Sequence, residues 1–273
     1  MIDFIGIGAQ KSATSWIYSQ LKKHKDICIP VKELHFFSRK RYEIKGIDWY
    51  ENQFHMCKNT MKGEFSTSYL NTKGVAKKIS DNYPNIKIIV SLRDPVKRAF
   101  SNYLNDIMSG DVSKELSFEE AIMSHPEYLE QGFYYEQIRQ YLKYFKKENI
   151  HIILFENIKK NPQIVLEDLF KFLNVVQYKE EDLCKKNVSR IPKNASLERV
   201  MFIIAQFLNN GRTRWCYHLI KRSNLHNMIR KINTDNKKPR LSRLEYNKYI
   251  EQYANDMQSL AKEFKLDVSY WTF

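Results

Sequence analysis

The chain of 273 residues carries 45 Lys and Arg against 31 Asp and Glu, a formal charge of +14 at pH 7, with 43% hydrophobic and 14% aromatic residues. At roughly 100 to 200 residues per domain, this predicts one large domain or two small ones with ample apolar material for a core. Only 8 Gly and 7 Pro exclude collagen-like and low-complexity architectures, and the aromatic content argues against disorder.

No apolar run approaches the roughly 18 to 20 residues of a membrane-spanning helix. The start, Met1-Ile2-Asp3-Phe4-Ile5-Gly6, has an acid where a secretory leader carries basic residues, which predicts a cytoplasmic protein. Cys28, Cys57, Cys184 and Cys216 lack the paired spacing of a zinc site and are expected to be scattered reduced thiols. The charge favours an anionic partner: nucleic acid, an acidic lipid or glycan, or a phosphorylated small molecule. The dense basic stretch 221–243 reads as a solvated face.

In chain order, 3–8 reads as a short buried strand ending on glycines. Residues 14–24 carry Trp16, Ile17 and Leu21 at helical spacing. Residues 86–92 form a second strand, after which Asp94 and Pro95 mark a helix start, with Val96, Phe100, Tyr103 and Ile107 as its apolar face. A helix over 137–145 leads to a strand over 150–155, then to the helical pattern Val165, Leu169, Phe172, Leu173. Strands alternating with helices predict an α/β fold with a central parallel sheet, helices on both faces and a nucleotide-binding core over 1–175. Residues 176–273 show no strong strand signal. Helices over 197–208 and 244–264 predict a helical cap on the same single domain.

The stretch Gly6-Ile7-Gly8-Ala9-Gln10-Lys11-Ser12-Ala13-Thr14-Ser15 leaves a strand and enters a helix, which converges backbone N–H groups, a cation and a helix dipole on an anion. It fails the triphosphate loop, because Ile5 and Gln10 stand where glycines are needed, and it fails the dinucleotide fingerprint, because Lys11 replaces the third glycine. A second stretch, Ser91-Leu92-Arg93-Asp94-Pro95 through Arg98, Ser101 and Tyr103, puts an arginine at a strand end and a serine in the following helix. That pair suits another phosphate.

Together these stretches resemble the sulfotransferases that use 3′-phosphoadenosine 5′-phosphosulfate (PAPS). Lys11-Ser12-Ala13-Thr14-Ser15 resembles the 5′-phosphosulfate loop and the Arg93 to Tyr103 stretch resembles the 3′-phosphate motif. Val31-Lys32-Glu33-Leu34-His35-Phe36-Phe37 and Gly46-Ile47-Asp48-Trp49-Tyr50 are similar to segments of the heparan-sulfate-type enzymes. Phe155-Glu156-Asn157-Ile158, Phe172-Leu173-Asn174-Val175 and Leu266-Asp267-Val268-Ser269-Tyr270-Trp271 resemble the late core and the C-terminal ending.

The resemblance implies a P-loop-like domain that moves a sulfuryl group from PAPS to an acceptor hydroxyl or amine, on a glycan or other small polar acceptor, without a metal and leaving PAP. It implies Glu33 as general base, with His35 either the alternative base or a residue orienting Glu33. Lys11 would stabilise the leaving phosphate, with Ser12, Ala13, Thr14 and Ser15 supplying donors around it. Arg93 and Ser101 would hold the 3′-phosphate, and Arg190 or Lys193, in the loop 187–194, would reach a phosphate. Tyr103 is expected in the core and Arg98 is left open between site and scaffold. Phe65 stands where heparan-type enzymes carry a lysine near the reaction centre, a departure that weakens the case for a glycosaminoglycan but not for sulfuryl transfer. Two rival classes remain. A nucleotide-phosphate kinase is disfavoured by the loop spacing, and a basic nucleic-acid-binding module by the dispersed charge and the missing zinc-finger and RNA-recognition patterns.

Overall fold

The computed structural model describes residues 1–177, 191–192, 234–235 and 239–272. Five parallel strands form one sheet: β1 (Phe4–Gly8), β2 (Ile27–Cys28), β3 (Met61–Phe65), β4 (Lys87–Leu92) and β5 (Ile150–Leu154), in the order β2-β3-β1-β4-β5. β1 lies in the middle and is buried at every residue. Its chain leaves toward β2 on one side, whereas the chain leaving β4 runs to β5 on the other. The carboxyl ends of β1 and β4 therefore bound a topological switch point, the place where open α/β sheets bind ligands.

Alternation along the strands separates two apolar layers. Ile5, Ile7, Ile88 and Val90 face one side, with Tyr69, Tyr134, Tyr141 and Leu260. Phe4, Phe65, Ile89 and Ile153 face the other, against Trp16, Ile17 and Leu21 of α1 (Thr14–Leu21) and Leu166, Leu169 and Phe170 of α9 (Pro162–Leu173). Gly6 serves this packing: a Cβ there would lie 2.1 Å from the Phe65 ring. The remaining helices of the core are α2 (Arg41–Asn52), α3 (Val75–Asn82), α4 (Pro95–Ser109), α5 (Phe118–Ser124), α6 (Glu127–Glu130), α7 (Tyr134–Leu142) and α8 (Phe155–Lys160). The α4 start is as expected, with Pro95 in the first turn and Asp94 Oδ1 accepting from Lys97 N at 2.9 Å.

The C-terminal helix expected over 244–264 is two helices, α10 (Arg243–Ile250) and α11 (Ala254–Phe264), broken by a 3₁₀ turn over Glu251–Tyr253. They close on the core through polar bonds. Tyr246 of α10 donates to Asp94 Oδ2 at 2.8 Å, and Asp256 of α11 accepts from Tyr135 N and Glu136 N at 2.9 and 3.0 Å. A carboxylate at the N-terminus of α7 satisfies first-turn donors and complements the helix dipole. Residues Ile191–Pro192 and Thr234–Asp235 pair as a short antiparallel ribbon, β6 and β7, where no strand is expected. The helix expected over 197–208 lies outside the described residues.

One expectation is overturned. Cys28 and Cys57 are not reduced thiols but form a disulfide, with Cα atoms 5.7 Å apart. β3 pairs in parallel with β2, Ile27 opposite Met61, which brings the segment before β3, with Cys57, back beside Cys28. Cys184 and Cys216 lie outside the described residues. No described helix is long and apolar enough to cross a membrane.

Candidate active site

The loop leaving β1 turns at Gly8, whose φ is +146° and where a Cβ would lie 3.0 Å from Leu70 Cβ and from the Thr67 carbonyl. Lys11 (φ 65°) and Ala13 (φ 64°) both take left-handed backbone. That conformation costs a non-glycine residue about 1 to 2 kcal/mol and is held where function needs it. Ala13 caps α1 without a side-chain hydrogen bond, so the first-turn N–H groups of Thr14 and Ser15 are left for an anion. Ser12 is fully buried, its hydroxyl has no partner among the described residues, and its carbonyl accepts from Ser91 Oγ. Lys11 Nζ donates to Asn105 Oδ1 at 2.7 Å. Burial pulls the Lys11 ammonium below its usual pKa; Asp106 opposes this, while nearby Arg93 and Lys32 reinforce it.

Arg93 follows β4 directly. Its Nη1 donates to the Lys11 carbonyl at 3.3 Å and its guanidinium lies 4.6 Å from the centre of the Phe155 ring. Its Nε has no partner among the described residues, and its carbonyl accepts from Tyr134 OH at 2.8 Å. Burial works against the charge on Arg93, and Glu156 favours it. Glu156 in turn accepts from Trp271 Nε1 at 3.0 Å, so the late-core and C-terminal segments both converge on the Arg93 loop. Ser101 stands one turn before Asn105 on the same face of α4. Arg98 resolves as scaffold: it is fully buried and donates to the Tyr128 carbonyl and, at 3.3 Å, to Gln131 Oε1. Tyr103 is in the core, as expected, with its hydroxyl on the Leu116 carbonyl at 2.6 Å.

Glu33 and His35 lie on the segment that runs beside β3, tied to it by Glu33 N donating to the Phe65 carbonyl at 2.7 Å. Both are left-handed, at φ 61° and 51°. The Glu33 carboxylate accepts from Thr67 N at 3.0 Å and from Thr67 Oγ1 at 3.2 Å, lies 3.2 Å from His35 Nε2 and 3.3 Å from Lys32 Nζ. His35 Nδ1 is 2.6 Å from Ser68 Oγ. Burial lowers the His35 pKa below its usual value, against the pull of Glu33 and with Arg39, Arg41 and Lys32 adding to it. The imidazole thus stands between Ser68, bonded at Nδ1, and the Glu33 carboxylate, which lies near Nε2.

Beneath this segment lies Glu64 of β3, fully buried. It accepts from Tyr50 OH at 2.6 Å, from Tyr69 OH at 3.0 Å and from Ser66 Oγ. Ser66 Oγ accepts from His35 N, and Tyr69 OH from Phe36 N, each at 2.8 Å. Burial pushes the Glu64 carboxyl up to about 7, against the pull of these hydroxyls.

The structure thus brings Lys11, Ser12, Ala13, Thr14, Ser15, Arg93, Ser101, Glu33 and His35 to the carboxyl edge of the sheet. Arg190 and Lys193 lie outside the described residues. Sequence reasoning missed Asn105, Thr67 and Ser68 as partners of Lys11, Glu33 and His35. The run of hydroxyls after Phe65 was the available signal for the last two. Phe65 itself is buried between Phe4 and Tyr18, with ring centres at 6.3 and 6.4 Å, and contributes no charge to the site.

The family profile described as the sulfotransferase domain matches residues 2–200. Among curated proteins, the chain is 30% identical over 196 residues to the human bifunctional heparan sulfate N-deacetylase/N-sulfotransferase 3, covering 64% of this chain and 22% of that protein. It is 27% identical over 181 residues to the mouse heparan sulfate glucosamine 3-O-sulfotransferase 5, covering 62% and 52%. The chain therefore spans about a fifth to a half of the length of these relatives. A crystal structure of a sulfotransferase from Alicyclobacillus acidocaldarius superposes with a TM-score of 0.71 over 99% of this chain and 98% of the other at 24% identity, which shows the same fold. With the profile matching well over half its length, and an anion-ready loop set at the switch point of the sheet, the chain belongs to the PAPS-dependent sulfotransferase family.

Proposed function

We propose that this site moves a sulfuryl group from PAPS to a hydroxyl or amine of a glycan or other small polar acceptor, with Glu33 as the base. The observation that carries this reading is the meeting of two separate segments. The Glu33 carboxylate and the N-terminus of α1 lie within the span of a single lysine, Lys32, whose ammonium is 3.3 Å from Glu33 Oε1 and 2.8 Å from Ser15 Oγ. A base on one side and an anion cradle on the other is the arrangement an in-line displacement needs.

The donor fits the residues present. Lys11, the Ser12 hydroxyl, which has no partner among the described residues, and the first-turn amides of α1 suit the 5′-phosphosulfate; Arg93, whose Nε likewise has none among them, and Ser101 suit the 3′-phosphate. Glu33 accepts the acceptor proton as the acceptor oxygen or nitrogen bonds to sulfur, and Lys11 offsets the charge that develops on the leaving phosphate oxygen. We assign His35 to orienting Glu33: Ser68 holds its ring at Nδ1, and its Nε2 lies 3.2 Å from the Glu33 carboxylate. Arg190 and Lys193 are retained as further phosphate contacts of this reading. The positive charge comes from side chains, so the proposed chemistry asks for no metal.

The heparan sulfate relatives support a glycan acceptor, with amine and hydroxyl both represented among their names. We take residues 1–273 as one catalytic unit, with the C-terminal segment as its cap. The expected cytoplasmic placement has the Cys28–Cys57 bridge against it, because such bridges persist in oxidising surroundings. A thiol count on protein isolated without reductant decides this point.

Transfer of labelled sulfuryl from PAPS to de-N-acetylated heparosan and to N-sulfated heparosan, with p-nitrophenol as a non-glycan control, tests the reading. Transfer to a heparosan should fall by about 10² or more in Glu33→Gln, with PAP still bound. Undiminished transfer in that variant removes Glu33 as base, and transfer to p-nitrophenol alone removes the glycan.

A further inference from the structure

We infer that Lys32 is itself a catalytic residue, the cation that holds the oxygens of the sulfuryl group as it passes between the α1 cradle and Glu33. The inference rests on the sulfuryl-transfer reading and adds to it a residue and a role.

Three observations carry it. First, Lys32 spans the seam between the two halves of the site. Its ammonium donates to Ser15 Oγ in the first turn of α1 at 2.8 Å and pairs with Glu33 Oε1 at 3.3 Å. No other residue among those described is shown to contact both. Second, its backbone is fixed. Lys32 bridges in parallel to Phe65, the last residue of β3, and its ammonium lies 6.0 Å from the centre of the Tyr18 ring. The side chain is only about a fifth exposed, 22%. Third, Lys32 is crowded by like charge. Lys11 senses both Arg93 and Lys32, and each pushes the Lys11 pKa down. Burying several cations within reach of one another costs stability unless an anion joins them. Glu33 neutralises one charge, while the donor brings more negative charge than the remaining cations carry.

Geometry assigns the division of labour. Lys11 follows the β1 turn and reaches across to Asn105 of α4, on the nucleotide side. Lys32 approaches from the opposite side, on the segment that carries the base. In the transfer, the acceptor lone pair forms the new bond to sulfur and its proton passes to Glu33. The bond from sulfur to the 5′-phosphate oxygen breaks, and its electron pair leaves with PAP. The remaining sulfuryl oxygens carry negative charge throughout and lie between the two ends, where Lys32 Nζ is placed. A preorganised ammonium there stabilises that charge without reorganisation.

The test needs no acceptor. PAP and PAPS share every nucleotide contact and differ by the sulfuryl group, so calorimetric affinities for the two isolate what touches that group. Wild type, Lys32→Met and Lys32→Arg are titrated with each; the Met variant keeps the aliphatic stem against Tyr18 and is checked by its melting temperature. Lys32→Met should lose about tenfold or more in PAPS affinity while PAP stays within about twofold, a charge-assisted bond's worth. Lys32→Arg should recover most of the loss. If PAP and PAPS weaken together, or neither weakens, Lys32 does not hold the sulfuryl group and the inference is wrong. If wild type binds no PAP, the sulfuryl-transfer reading itself falls and takes the inference with it.

Discussion

The guanidinium of Arg93 donates from Nη1 to the main-chain carbonyl of Lys11 at 3.3 Å, joining the loop after β4 to the loop after β1. The two proposed phosphate subsites are thereby set at a fixed separation. The bond comes from one end of the guanidinium, which leaves the buried Nε and the second Nη to recognise a phosphate as a fork.

Arg93→Lys should therefore fail as a conservative change. The charge survives but the fork does not, and a lysine cannot both hold the Lys11 carbonyl and grip a phosphate in the plane. Affinity for PAP should drop by about tenfold or more, whereas affinity for 5′-AMP, which lacks the 3′-phosphate, should change little. Calorimetry with both nucleotides measures the ratio. An equal loss on both would mean that Arg93 only braces the Lys11 loop.

Glu64 predicts a pH dependence of stability. Its carboxyl titrates near 7 in the folded chain against 4.5 for the ordinary group, so the native state holds the proton more tightly than the unfolded one. The resulting stabilisation is complete below about 4.5 and is lost as the pH rises through about 7, with a slope of at most about 1.4 kcal/mol per pH unit. Urea unfolding of wild type and Glu64→Gln at pH 5, 6 and 7 isolates this contribution, since Gln keeps an acceptor for Tyr50 and Tyr69 without titrating. Parallel pH profiles in the two proteins would contradict the assignment.

The Cys28–Cys57 bridge joins residues 29 apart in sequence and closes a loop that contains both Glu33 and His35. Loop entropy for a closure of this length predicts that the double Ala variant is less stable by about 3 to 4 kcal/mol. Thermal unfolding should show the drop. Sulfuryl transfer, assayed well below the new melting point, should also decline, because the folded segment that carries Glu33 and His35 loses the tether that holds it to the start of β3.

Several sheet elements were legible because their chemistry is unambiguous. β1 and β4 are short apolar runs followed by turn residues, and the Asp94-Pro95 cap announces α4. β3 was not, since Met61-Lys62-Gly63-Glu64-Phe65 interrupts its apolar residues with Lys, Gly and Glu. Its glycine admits the Phe4 ring, and its glutamate is buried where three hydroxyls, from Tyr50, Ser66 and Tyr69, converge on it. The donor loop could be read as an anion site from Lys11, the hydroxyls and the helix start. Glu33 had no such signature: beside Lys32 it looks like a surface ion pair, and only the resemblance to a family singled it out. The Cys28–Cys57 pairing depends on β2 lying beside β3, a long-range fact invisible in cysteine spacing. Asn105 was missed for the same reason, because a polar residue on a helix announces nothing until its partner, Lys11, is placed against it.

Concentration of Lys11, Lys32 and Arg93 within electrostatic reach of one another, in a chain of net charge +14, predicts a salt-sensitive donor site. PAP affinity should fall steadily as ionic strength rises from about 0.05 to about 0.5 M, because the screening length shortens over that range. Titrations across that range give the slope. A flat response would show that short-range hydrogen bonds alone hold the nucleotide.

The most direct measurement is calorimetric titration of the intact protein with PAP, beside ATP and 5′-AMP, repeated on Lys11→Ala. A donor site built from the Lys11 and Arg93 loops predicts tight PAP binding, weaker binding of the other two, and loss of PAP affinity in the variant. PAP bound no better than 5′-AMP, or equally well with and without Lys11, would contradict the assignment of this site as the place where sulfuryl transfer occurs.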